Sequence, residues 1–230
     1  MKKIFSVIVV LTLIALAVPS MAEDKKPYNW TGFYIGINGG YGWGDTNWND
    51  SDAGKVNHAH HGGMVGGTAG ANLQLLASPG GIPAVVGGIE TDFDWSDMDG
   101  SRYYPTLPIL RAESSIDALA TVRGRLGLAF DRLLVFGTGG LAVAKVNIET
   151  VYPSGFAVPP SDTPRNGKGK WDTGYVVGAG AEYAFWNNLS LKVEYQYYDL
   201  GHRKYKVDFD IPVRAGERGS IVRSGINYKF

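Results

Sequence analysis

Ser220-Ile221-Val222-Arg223-Ser224-Gly225-Ile226-Asn227-Tyr228-Lys229-Phe230 is the stretch whose reading decides the fold. Ile226, Tyr228 and Phe230 are large and apolar, while Asn227 and Lys229 between them are polar. A repeat of two places one kind of residue on each face of an extended strand. The same repeat runs through Leu189, Leu191, Val193, Tyr195 and Tyr197, set against Ser190, Lys192, Glu194 and Gln196. It recurs upstream often enough to give about eight strands, beginning with Phe33, Ile35, Ile37, Tyr41 and Trp43 opposite Gly36, Asn38, Gly40 and Gly42. Val65 to Leu75, Val85 to Trp95, Ile116 to Leu128 (with Ile116 and Ala118 on the apolar face) and Tyr175 to Phe185 follow the same rule. Leu133 to Val146 reads as a strand whose facing stays open, because both of its faces are apolar or glycine.

Composition supports an all-β chain. There are 32 glycines, and 13 tyrosines, 9 phenylalanines and 6 tryptophans accompany them. Glycine costs about 1 kcal/mol against alanine inside a helix, and aromatics suit pleated surfaces. The absence of cysteine excludes a disulfide framework and thiolate metal sites. Lys2 and Lys3, the apolar run Ile4 to Val18 and the small residues around Ala22 read as a secretory signal peptide over residues 1–22. Residues 23–230 then form one domain, with a charge near −2 that does not point to nucleic acid. Past the signal peptide, no uninterrupted apolar run approaches the roughly 20 residues of a membrane helix.

Connections are unequal in an ordered way. Turns after strands two, four and six are short, whereas Gly44–His61, Ser96–Ser114, Asn147–Lys170 and Asp199–Arg218 read as long polar loops. That asymmetry belongs to bacterial membrane barrels, whose short turns lie in the periplasm. A soluble lipocalin-like barrel would show similar alternation. Glycine on the polar face and aromatics near strand ends (Trp30, Tyr41, Trp43, Trp95, Trp171, Phe185, Trp186) favour interfacial girdles instead. The reading is a closed antiparallel transmembrane β-barrel of eight strands in the cell outer membrane. Ile226, Tyr228 and Phe230 serve as its assembly signal for the barrel-assembly machinery.

Charge placement orients the faces. An Arg or Lys at the lipid midplane costs about 2–4 kcal/mol, so Arg123, Arg125, Glu182, Lys192 and Glu194 must point inward. Eight strands leave an interior only wide enough for side chains, and buried charges need partners. A turn centred on Asn187 puts Glu182 opposite Lys192. Arg123 and Arg125 fall beside Glu90, Asp92 and Asp94, and Arg223 is placed to serve Glu194. These residues form an expected interior charge ladder.

Several motifs together resemble a known group. They are Trp30-Thr31-Gly32-Phe33-Tyr34-Ile35-Gly36, Gly88-Ile89-Glu90-Thr91-Asp92-Phe93-Asp94-Trp95, Gly124-Arg125-Leu126-Gly127, Gly137-Thr138-Gly139-Gly140-Leu141-Ala142 and Gly178-Ala179-Gly180-Ala181-Glu182-Tyr183. The chain resembles the RopB-type, porin-like "immunogenic" outer-membrane proteins of alphaproteobacteria, relatives of the OmpA transmembrane domain. The resemblance implies an abundant, surface-exposed barrel with structural, host-interaction or limited permeability roles. Peptidoglycan binding is not carried over, since the sequence stops at Phe230.

His58, His60 and His61 in the first expected loop and His202 in the fourth form a candidate haem or metal site. The plain alternative is a polar loop that happens to hold histidines. Glycine runs such as Gly137–Gly140 lack the Lys-Ser/Thr of a phosphate loop, and no nucleophile, base and orienting acid are recognisable by spacing. Tyr205 to Ile211 alternates again and reads as an extension of the last hairpin. The expected function is a structural and surface-interaction barrel with four extracellular loops, without cofactor or enzymatic activity. Its partners are outer-membrane lipid and lipopolysaccharide, and host or environmental ligands at the loops. A narrow diffusion channel is the alternative.

Overall fold

A computed structural model describes residues 27–50, 54–76, 83–103, 111–151, 169–207 and 211–230. The expected signal peptide over residues 1–22 lies outside these residues, as do Pro79-Gly80-Gly81 and the tips of the long connections. Eight strands run in sequence: β1 Gly32–Asp50, β2 Gly54–Gln74, β3 Ala84–Tyr103, β4 Arg111–Phe130, β5 Leu133–Val151, β6 Lys170–Ala184, β7 Leu189–Val207 and β8 Ile211–Lys229. Every neighbour is antiparallel, and β1 pairs with β8, so the sheet closes into a barrel with no free edge.

The outside is greasy. Phe33 is 73 % exposed, Ile37 71 % and Ile89 69 %, with Val65, Val122, Leu126 and Leu141 beside them. On β1 this face runs from Phe33 to Trp43. About ten residues at roughly 3.3 Å each, tilted near 40°, span about 25 Å, the height of an outer-membrane belt. Past Trp43 the outward positions become polar, with Asp45, Arg218 and Asp199 in one cross-strand row.

That change of surface explains a correction. Most of the expected loops are strand: β1 pairs with β2 out to Asp50↔Gly54, and β7 pairs with β8 out to Val207↔Ile211. Apolar alternation stops where lipid stops, although backbone pairing goes on. A second correction concerns Ile116, which the alternation put outside and which is buried; Ala118 keeps its outward register opposite Trp95 and Lys145, with little exposed surface. Asp117 is an extra residue against β5, and Ser96-Asp97 is an extra step against β4. Such bulges change which face a side chain meets. A third lies at Leu200-Gly201, where Gly201 takes φ +69°. β5 now has a facing: Leu134, Phe136, Ala142, Ala144 and Val146 point in, Val135 and Leu141 out.

Candidate functional site

The lumen holds whatever chemistry the barrel has, and it is filled in storeys. The middle storey is ionic. Glu90, Asp92, Asp94, Arg123, Arg125, Glu182, Lys192, Glu194 and Arg223 are all buried. Glu182 and Lys192 are register neighbours, as are Glu90 and Arg123, and Glu194 and Arg223. The pairing is nevertheless knotted across the lumen rather than stacked along the wall. Arg123 binds Glu90, Asp92 and Glu194 together. Arg223 reaches Asp92 at 2.9 Å, Glu194 at 3.1 Å and Asp94 at 3.2 Å. Lys192 passes its neighbour Glu182 and bonds Glu90 at 2.7 Å, while Arg125 holds Glu182 at 2.8 Å.

Neutral side chains on inward positions complete the storey. Thr68 and Thr121 donate to Asp92 at 2.7 and 2.9 Å, Tyr34 donates to Glu90 at 2.8 Å, and Asn227 donates to Glu182 at 2.8 Å. A buried ion pair repays its desolvation only when its remaining lone pairs and protons are satisfied. The strand parity of these partners was available in the sequence, and their role was not singled out there.

Apolar storeys lie on either side. Towards the short-turn end, Trp30, Ala84, Val86, Ala129, Leu134, Phe136 and Ala184 pack together, and the Arg125 guanidinium stacks 4.0 Å above the Phe136 ring centroid. Trp30, expected in an outer girdle, is instead 2 % exposed and caps this mouth. Towards the long-hairpin end, Met64, Met98, Ile116, Leu119, Val146, Val176, Tyr198, Leu200 and Ile221 form the second apolar storey. Both layers are lined mainly by apolar side chains, the Tyr198 hydroxyl of the upper one being engaged by His60 and the Trp30 N–H of the lower one by the Asp131 carbonyl.

Above that storey, beyond the row of Asp45 and Arg218, sits a polar cluster. Thr46 donates to Glu217 at 2.8 Å, and Ser114 lies 3.1 Å from Thr46. His60 Nε2 is 3.0 Å from the Tyr198 hydroxyl, and its Nδ1 approaches Glu217 at 3.5 Å. Burial pushes the Glu217 carboxyl up to about 8, with Asp172 adding to the rise and the Thr46 hydrogen bond opposing it.

The histidine set is divided by this arrangement. His60 is inside, whereas His61 is exposed on the outer face against Tyr41, and His202 is exposed on β7. Adjacent positions on one strand point to opposite faces. The His58 side chain lies outside the described residues. Among the described residues no three His, Cys, Asp or Glu side chains gather in a way that could hold a metal.

A greasy cylinder with a packed, charge-bearing lumen and no edge is the architecture of an integral membrane barrel, the form in which strands satisfy every backbone group within lipid. Residues 8–230 match the model of the outer membrane protein beta-barrel domain family, and the chain belongs to that family. It is 39 % identical over 222 residues to the 31 kDa outer-membrane immunogenic protein of Brucella melitensis, covering 91 % of this chain and 87 % of that one. It is 30 % identical to the 22 kDa outer membrane protein of Rhizobium leguminosarum, covering 91 % and 82 %. Among solved structures, Neisserial surface protein A aligns over 87 % of this chain and 98 % of that one, with 17 % identity and a TM-score of 0.38. The protein resides in the outer membrane, and the relatives carry the names of outer-membrane proteins rather than of enzymes.

Proposed function

We propose that this protein is a non-conducting, non-catalytic barrel that is anchored in outer-membrane lipid and lipopolysaccharide and presents its long hairpins at the cell surface. The observation that carries the reading is the ionic storey set between two clusters of buried apolar side chains, which interrupt a polar path along the axis. A narrow diffusion channel needs such a path, and open aqueous channels belong to barrels of about 16–18 strands. Short turns at one end and long hairpins at the other support an orientation with the turns in the periplasm and the β1–β2 and β7–β8 hairpins outside. The relatives' description as immunogenic accords with exposed hairpins, and ligands from a host or the surroundings would meet them there. Ile226, Tyr228 and Phe230 stand on the outer face of the closing strand, where an assembly machinery could read them. Exposed His61 and His202 leave weak surface capture of haem or a metal ion as a separate, lesser reading. The chain has no cysteine, so single-cysteine variants test the placement cleanly. Asn57→Cys should react with an impermeant maleimide on intact cells and Asn187→Cys should not; the reverse pattern would overturn the orientation.

A further inference from the structure

The segment Tyr28–Thr31 enters from beside the β1–β8 seam and crosses to the far wall. The Trp30 indole N–H donates to the Asp131 carbonyl at 2.9 Å, and the Tyr28 amide donates to the Asp131 carboxylate at 2.8 Å. Asp131 lies in the β4–β5 turn, on the side of the ring opposite β1 and β8. Its φ of 52° is a left-handed conformation that few residues besides glycine, Asn and Asp adopt readily. Both its carbonyl and its carboxylate are used by the crossing segment. The Tyr28 hydroxyl donates to the Asn187 carbonyl in the β6–β7 turn at 3.1 Å. Lys229, the last residue of β8, donates to the Asn29 carbonyl and sits 4.1 Å from the Tyr28 ring centroid. Arg132 lies 5.6 Å from the same ring and braces the β6–β7 turn through Ala184 and Asn187. On the near side Gln74 accepts the Trp30 amide at 3.3 Å, and Thr31 accepts the Gln74 amide at 3.0 Å.

We propose that Tyr28–Thr31 is a latch that docks only on a barrel whose β1–β8 seam has closed, and that then holds that seam shut. Its anchors on β2, the β4–β5 turn, the β6–β7 turn and β8 reach their places together only after closure, because Lys229 arrives with β8. A contact formed after the transition state slows unfolding and leaves the folding rate alone. The chain gains a membrane-inserted state that resists reopening at the strand pair where an edge would otherwise reappear.

The test uses the full chain folded into phosphatidylcholine vesicles, with Tyr28→Ala and Trp30→Phe compared with wild type. Trp30→Phe keeps an aromatic ring in the mouth while removing the indole N–H with part of the bicyclic ring, so it remains informative if the larger truncation fails to fold. The latch predicts unfolding accelerated by about tenfold in Tyr28→Ala and by a smaller factor in Trp30→Phe, with folding changed less than twofold. Amide exchange should rise at the β1–β8 seam, around Gly36 and Ile37, and not between β3 and β4. Unchanged unfolding, slowed folding, or an exchange increase spread equally over both strand pairs would overturn it.

Discussion

Arg123 on β4 and Glu194 on β7 meet inside the barrel although three strand steps separate them around the wall. The same guanidinium also binds Glu90 and Asp92, so one cation ties β3, β4 and β7 together. Replacing Arg123 by Met would leave three buried carboxylates short of a partner. We expect a loss of about 3–5 kcal/mol, typical of breaking a buried pair. It would be measured as a lower temperature for the shift in gel mobility on heating. Glu194→Gln alone should cost less, and the double variant should cost less than the sum of the two.

Gly40 lies beneath Arg223. A Cβ placed there would stand 2.5 Å from the Val222 carbonyl and 2.6 Å from the Arg223 Cβ. Neither neighbour is the free end of a side chain. Gly40→Ala should therefore push β8 from β1 or displace Arg223 from Asp92 and Glu194, at about 1–3 kcal/mol. Gly39→Ala, whose Cβ would have nothing closer than the Met64 carbonyl at 3.6 Å, serves as the control and should leave urea stability unchanged.

Ile37 and Asp45 lie on the same outer face of β1, inside and beyond the apolar belt. Arginine at Ile37 should cost about 2–4 kcal/mol, and at Asp45 below about 1 kcal/mol. Equal costs in lipid vesicles would move the belt from where the surface places it.

Glu217 gives the long-hairpin mouth a pH dependence of definite sign. Its folded value of about 8 lies above the ordinary 4.5. Between these two values the unfolded chain has released a proton that the folded chain keeps. Stability should therefore fall as pH rises from 4.5 through 8, and level off above that. Glu217→Gln removes the titrating group, so its melting temperature should show a flatter profile over the same window.

Much of the fold was legible because lipid imposes a strict repeat on the outer face. The register Glu182↔Lys192 followed from one turn, and inward Arg123, Arg125 and Glu194 followed from the cost of charge in hydrocarbon. What stayed hidden was set by the inside. Leu134 and Phe136 are apolar and inward, so β5 carried no contrast between its faces. Asp117 shifts the parity of Ile116 without any turn residue to announce it. Partner choice inside the lumen was equally hidden: Lys192 prefers Glu90, across the lumen, to its strand neighbour, a consequence of closure that no local spacing encodes. Trp30 looked like a girdle residue because an aromatic at a strand end has two uses, and only the far turn that receives it tells them apart.

Current through purified protein in a planar bilayer tests the filled lumen most directly. A barrel whose ionic middle is shut off by Trp30 and Phe136 below and by Met98 and Ile221 above should pass no unitary steps at any moderate voltage. Stable, well-resolved openings of the wild-type protein would contradict it.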